Sequence, residues 1–242
     1  MPFTVRLNTD DVAGAATTDA FDAKSIWKPS DPKIWTQIAE STLDRAWHAN
    51  DVSGITDTKL ESPAVTVGTG PFKVTFTHRY KFEYEGTPWD GGLIEYTKDG
   101  GATWQDVTTL SGVVPGYTHV LTTISSNPLG GRMAYANTNP AYPSTNNVML
   151  DFGTQLAGMT VKLRFRLGTD LAASAPGWDI DDVVFDGITN KPFPVQVENR
   201  SQCTALPDGD SGCNTGPLRG GDVALALGGL ALLLLRRRRR RR

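Results

Sequence analysis

Alternation of apolar and polar residues is the clearest signal in the chain. In Phe72-Lys73-Val74-Thr75-Phe76-Thr77-His78-Arg79-Tyr80-Lys81-Phe82 every second residue is apolar or aromatic except His78, and the residues between are Lys, Thr or Arg. Val161-Lys162-Leu163-Arg164-Phe165-Arg166-Leu167 repeats the pattern without exception. A strand points successive side chains to opposite faces, so each segment predicts a strand with one buried and one wet face. Two such strands predict antiparallel sheets with one face in solvent. Leu93-Ile94-Glu95-Tyr96-Thr97 runs into Lys98-Asp99-Gly100-Gly101 and on to Trp104 and Val107. That is a hairpin, because the Asp-Gly-Gly turn reaches positive φ without steric cost. Residues 148–152 and 180–185 predict further strands, and residues 34–46 carry the one weak helical pattern. The fold class that follows is all-β, a jelly-roll β-sandwich of antiparallel strands.

Composition supports one large all-β domain in a chain of 242 residues, with 39% hydrophobic and 21% charged residues, 25 Gly and 15 Pro. The chain divides into a sandwich domain over residues 1–195, a polar linker over 196–221, and an apolar segment with an arginine run over 222–242. The formal charge of −2 hides this division. Seven of the 24 basic residues form the terminal run; without them 17 basic residues face 26 acidic ones, a net charge of −9. An acidic body has no general attraction for phosphates, so nucleic acid is not an expected partner. Residues 1–8 lack a basic start followed by an apolar run. The chain therefore reads either as cytoplasmic or as the C-terminal part of a longer precursor.

A search for catalytic constellations leaves little. His48, His78 and His119 are far apart and lie in no His-Glu-x-x-His motif, so no zinc site is recognised. His78 falls on the inward face of its strand and reads as a core histidine. There is no Gly-x-Ser-x-Gly elbow and no Gly-x-x-x-x-Gly-Lys loop. Glu83, Glu85 and Glu95 could serve glycoside hydrolysis only if two carboxyls stood ~5 to 9 Å apart across a cleft. Six tryptophans raise carbohydrate stacking; Trp89, beside Asp90-Gly91-Gly92, is the best exposed candidate, while Trp104 and Trp178 read as core or rim packing. Asp179, Asp181 and Asp182 put three carboxylates into a strand that buries Ile180, Val183 and Phe185. Such groups need a cation, hydrogen bonds or an ion pair with Arg164 or Arg166, unless they are simply exposed.

Asp90-Gly91-Gly92-Leu93-Ile94-Glu95-Tyr96 followed by Asp99-Gly100-Gly101-Ala102-Thr103-Trp104 resembles the hairpin of the immune-inhibitor-A/MAM-like jelly rolls appended to secreted bacterial proteases. Glu61-Ser62-Pro63-Ala64-Val65, residues 163–170 and Gly177-Trp178-Asp179-Ile180-Asp181-Asp182-Val183 are similar to other strands of that family. With residues 187–193 and the tail, the chain resembles the C-terminal region of myxobacterial fungalysin-type metallopeptidases. The resemblance implies an exported, non-catalytic ancillary domain whose catalytic partner lies upstream, acting on a protein or polysaccharide substrate. It also implies a structural Ca²⁺ between the first and last strands, with Asp22 and Asp182 as ligands. A free-standing carbohydrate-binding module and a hydrolase with an unrecognised site are the alternatives.

Residues 223–235 are uncharged and consist of Ala, Val, Leu and Gly. Thirteen helical residues span about 20 Å, less than the ~30 Å hydrocarbon core. The arginines that follow would stay on the cytoplasmic side. A short apolar stretch ending in arginines after a Gly-Cys linker resembles the myxobacterial C-terminal sorting signal. By that resemblance a sorting protease in the membrane removes the segment bearing Arg236, Arg237 and Arg238, and Cys213 anchors the mature protein at the cell surface. Read from the residues alone, Cys203 and Cys213 either bridge a short loop or leave one as a modification site.

Overall fold

The computed structural model describes residues 9–41, 44–110 and 112–198. Its first strands are β1 (Thr9–Ala16), β2 (Thr18–Asp19), β3 (Lys28–Pro29), β4 (Trp35–Ala39), β5 (Arg45–Ala49), β6 (Thr56–Glu61), β7 (Val65–Thr66) and β8 (Phe72–Lys81). Then come β9 (Gly91–Thr97), β10 (Gln105–Asp106), β11 (Gly112–Val114), β12 (His119–Val120), β13 (Met133–Ala134), β14 (Asn146–Gly153), β15 (Thr160–Thr169), β16 (Gly177–Asp186) and β17 (Phe193–Glu198). β17 runs past the boundary predicted near residue 195.

Two antiparallel sheets face each other, as the alternating strands require. One has the order β10-β9-β15-β6-β3 with β7 beside β15. The other has the order β11-β14-β8-β16-β5-β4 with β2 beside β16. The chain passes back and forth between the sheets, among other places at β5 to β6, β8 to β9, β14 to β15 and β15 to β16, which is the winding of a jelly roll. The inner faces meet in one aromatic layer. Phe76 of β8 lies 5.1 Å from Phe165 of β15, and Phe165 lies 5.5 Å from Trp178 of β16, both edge-on. Edge-to-face pairs of this kind add roughly 0.5–1.5 kcal/mol to their burial.

The structure corrects the sequence reading at two places. The described residues of the 34–46 segment form no helix; β4 and β5 pair antiparallel, with Ile38 opposite Ala46. Weak helical propensity yields to the burial of Trp35 at 1% exposure and Ala49 at 0% against the core. The second correction concerns β9, every residue of which is buried. Its outer face is not solvated because residues 115–139 fold across it. Leu93 packs there with Leu121, Leu129, Ala134 and Ala136 as a second small core. Antiparallel sheets often expose one face, but an excursion that brings its own apolar residues can cover it.

The tail segment, with Cys203, Cys213, Arg236, Arg237 and Arg238, lies outside the described residues. Among the described residues no helix is long and apolar enough to cross a membrane.

The sheets pack closely at Gly92, where a Cβ would stand 2.3 Å from the Trp178 ring. Gly92→Ala should therefore destabilise the domain by roughly 1–3 kcal/mol through overpacking. A urea-denaturation midpoint unchanged from wild type would refute this packing.

Candidate functional site

β16 lies between β8 and β5, and its register sets a row of charges on the outer face of the seven-stranded sheet. Asp179 is directly opposite Arg79 on one side and His48 on the other. Trp178 and Ile180 point inward, so Asp179 points outward between them. Opposed residues of neighbouring strands stand close enough to bond. Arg79 Nε donates to Asp179 Oδ2 at 2.5 Å, and His48 Nδ1 meets Asp179 Oδ1 at 2.5 Å. Arg79 Nη2 also donates to Glu40 Oε1 at 2.6 Å, and His48 Nε2 lies 3.1 Å from Asn50 Oδ1. The hydrogen bond to Asp179 raises the His48 pKa above its ordinary value, against the effect of burial and of Arg79. Burial works to raise the Asp179 carboxyl, but the bonds from His48 and Arg79 outweigh it and hold it below the usual carboxylate range.

The next outward row carries Asp181, opposite Thr77. Here β16 bulges: the register shifts between Asp181 and Val184, and Asp182 takes φ 51°. A bulge adds an unpaired residue and re-aims side chains. Asp182 turns to the surface, and its N–H donates to Asp181 Oδ1 at 2.7 Å. Burial pushes the Asp181 pKa up to about 8, and the charges of Asp182, Asp44 and Asp22 add to the shift. An open cleft of 190 Å³ runs along these rows, lined by Glu40, Asp44, Asp179, Asp181 and Asp182, with Arg79 and the hydroxyls of Thr77 and Thr145. Chemically it offers fixed carboxylate acceptors, one carboxylic acid that keeps its proton at neutral pH, and a guanidinium already engaged on both sides.

The structure distributes the sequence-predicted residues over separate places. Asp22 and Asp182 both act on Asp181 electrostatically, together with Asp44, which the sequence reading left out. Trp89 is half-buried ahead of β9; its carbonyl accepts from Asn127 Nδ2 at 2.8 Å, and it is not among the residues that line the cleft. Trp178 is core and Trp104 is rim, the latter covered by the Arg164 guanidinium at 4.2 Å. His78 is buried among aromatic rings and accepts from Trp178 Nε1 through Nδ1 at 3.2 Å. Burial pushes its pKa down to about 3, so it is a neutral core residue.

Arg164 and Arg166 do not pair with the β16 carboxylates; they belong to the other sheet. They hold Glu95, which is only 3% exposed, together with Arg132: Oε2 accepts from Arg164 at 2.6 Å, and Oε1 from Arg132 at 2.5 Å and Arg166 at 3.0 Å. Burial favours the neutral acid, but these bonds and charges hold the Glu95 pKa below its ordinary value. A carboxylate fixed by three guanidiniums is a poor proton donor, and Glu83 and Glu85 lie on the segment after β8, apart from it. Sequence reasoning missed His48, Arg79 and Glu40. Their outward orientation was partly readable from alternation; their convergence on Asp179 comes from strand pairing across 39 to 131 positions.

A raised histidine pKa means that this interaction stabilises the fold fully below the unfolded value near 6.5 and is lost as pH rises through the folded value. The lowered Asp179 pKa removes it again in strong acid. The pair therefore contributes most in mildly acidic solution. In Asp179→Asn, the His48 pKa measured by NMR titration should fall below the wild-type value; an unshifted titration would show that the pair does not form.

No family model matches the chain, and no curated protein does. Among solved structures it is similar to TmCBM61 in complex with β-1,4-galactotriose (TM-score 0.40, 13% identity, 70% of this chain and 93% of that chain). It is similar to the K1 cleaved adhesin domain of Lys-gingipain from Porphyromonas gingivalis W83 (TM-score 0.36, 15% identity, 74% and 98%). A third such structure is the mannan-recognising carbohydrate-binding module TmCBM27 (TM-score 0.37, 12% identity, 74% and 96%).

Proposed function

We propose that this domain is a non-catalytic binding module that takes a carbohydrate in the cleft on the outer face of the seven-stranded sheet. The cleft itself carries the reading. At 190 Å³ it is smaller than the roughly 300–1,000 Å³ of a typical small-molecule pocket, so it suits one ring-sized group of a longer ligand. Besides Asp181, its four carboxylates, Glu40, Asp44, Asp179 and Asp182, repel phosphates and other anions. They accept hydrogen bonds from hydroxyl groups, and the protonated Asp181 can donate one in return. A neutral polyol satisfies both roles. The Arg79–Asp179–His48 row holds the floor of the site in place before the ligand arrives, which lowers the ordering cost of binding.

The resemblance of the sequence to protease-appended jelly rolls extends this proposal. The module would serve an exported parent protein, with a zinc metallopeptidase as the parent and the C-terminal segment as the surface-sorting signal. In that case mass spectrometry of the cell-surface protein should find no Arg236–Arg242 run, and Cys213→Ser should release the protein from the surface. A surface protein that retains Arg242 would sink the sorting reading without touching the binding reading.

Affinity electrophoresis against a panel of neutral polysaccharides tests the binding reading. Wild type should be retarded by at least one of them, and Asp181→Ala should weaken binding by about threefold to tenfold, the worth of one neutral hydrogen bond. Absence of binding by wild type would remove the proposal. Binding lost in Trp89→Ala but kept in Asp181→Ala would move the ligand from the cleft to the Trp89 loop.

A further inference from the structure

Four acidic residues meet at one end of the sandwich, away from the cleft and from Asp182. Asp51 follows β5 and Glu83 follows β8, both strands of the seven-stranded sheet. Asp90 immediately precedes β9 and Asp170 immediately follows β15, both strands of the six-stranded sheet. Asp90 is 0% exposed, Asp51 3% and Asp170 5%. Carboxylate oxygens of Glu83, Asp90 and Asp170 lie within 4.8 Å of one another, and the Asp51 carboxyl stands beside that of Asp90. Among the described residues, no ion pair with Lys, Arg or His involves any of the four.

The hydrogen bonds orient these groups without consuming them. Asp90 Oδ1 accepts from the Asp170 N–H at 2.8 Å and from Asn127 Nδ2 at 3.2 Å, while the buried Oδ2 has no partner. Asp51 Oδ2 accepts from the Glu83 N–H at 2.9 Å, while the buried Oδ1 has none. Glu83 Oε2 is likewise buried and unpartnered. Asn127 is itself fixed, donating also to the carbonyls of Trp89 and Gly168, each at 2.8 Å. One oxygen held and the other presented is how an outer shell aims metal-binding carboxylates. Buried oxygens without donors are costly, and mutually repelling carboxylates more so, unless a cation stands between them. The ligand set is all oxygen, with no sulfur or imidazole, which selects a hard cation; a cluster of carboxylates drawn from loops suits the adaptable 6–8 oxygen shell of calcium.

We propose that Asp51, Glu83, Asp90 and Asp170 bind one Ca²⁺ ion that clips the two sheets together at this end of the sandwich. The site is independent of the carbohydrate reading and separate from the Asp22 and Asp182 pair. Its consequence is mechanical: the ion closes the loops after β5, β8 and β15 onto the start of β9, and so fixes the segment that carries Trp89.

The test uses the full chain freed of metal with EDTA and then dialysed. Calcium binding is read by calorimetry, site occupancy by Tb³⁺ luminescence excited through tryptophan, and stability by thermal melting. Wild type should bind calcium and gain roughly 5–10 °C in Tm at about a hundredfold excess over Kd. Asp90→Asn should lose this ion. Glu83→Gln, at a half-buried position that tolerates change and so covers the case in which Asp90→Asn does not fold, should weaken it by tenfold or more. Asp182→Asn should keep it. Metal-free wild type that binds no calcium would overturn the proposal and leave Asp51 and Asp90 as an acid pair sharing a proton. A folded Asp90→Asn or Glu83→Gln that binds as tightly as wild type would also overturn it, as would loss of the ion in Asp182→Asn alone, which would place it at the β16 bulge.

Discussion

Trp178 is fully buried between the two sheets, and much of the architecture follows from its seat. Its ring lies against the bare backbone of Gly92 on the opposite sheet, beside Phe165, and its indole N–H is satisfied by the buried His78. Any side chain at position 92 would push the sheets apart. Because Trp178 is fully buried, the direction of β16 is fixed, and with a period of two Asp179 must face outward. The core thus decides where the surface charges stand. Gly177, at the start of the same strand, makes a second close approach: a Cβ there would meet the Ala49 carbonyl oxygen at 2.0 Å. It fixes how tightly β5 can lie against β16.

The two sheets manage buried carboxylates in different ways. On the six-stranded sheet Glu95 sits under the 115–139 excursion and is matched by Arg132, Arg164 and Arg166, with Asp57 and Asp106 sharing those guanidiniums. This network is closed: its donors and acceptors are spent on one another, which favours a scaffold role. On the seven-stranded sheet Asp179 is matched by Arg79 and His48, but Asp181 beside it has other carboxylates as neighbours and no guanidinium. At the end of the sandwich Asp51, Glu83, Asp90 and Asp170 have no counter-charge from the described residues at all. The degree to which acidic groups are left unmatched thus rises from the Glu95 network through the cleft to the four-acid end.

A binding module needs a rigid frame and an adaptable surface. The frame here is the aromatic layer, which uses Trp27, Trp35 and Trp178 for packing and leaves few flat rings for stacking on a ligand. In the proposed binding mode, recognition would fall to the hydrogen-bonding groups of the cleft, which are directional and would hold a ligand through its hydroxyls. Loops between sheets, rather than the strands, carry the four-acid end, so the two features are separable in the fold and draw on different residues.

Sequence alone determined the class of fold. A period of two is a local property, and residues 72–82 and 161–167 declare it without reference to anything distant, as does the Asp-Gly-Gly turn of the hairpin. His78 was legible as a core residue for the same reason, since its place in the alternation points it inward. The helix expected at 34–46 failed because a weak local preference competes with edge pairing onto a sheet, and pairing is non-local. The burial of both faces of β9 was hidden too, because the cover comes from residues more than twenty positions downstream. Only tertiary structure could bring His48, Arg79 and Glu40 to Asp179, or Asp51, Glu83, Asp90 and Asp170 to one point. Charge in a sequence has sign but no neighbour; strand register and sheet pairing supply the neighbour, and with it the chemistry.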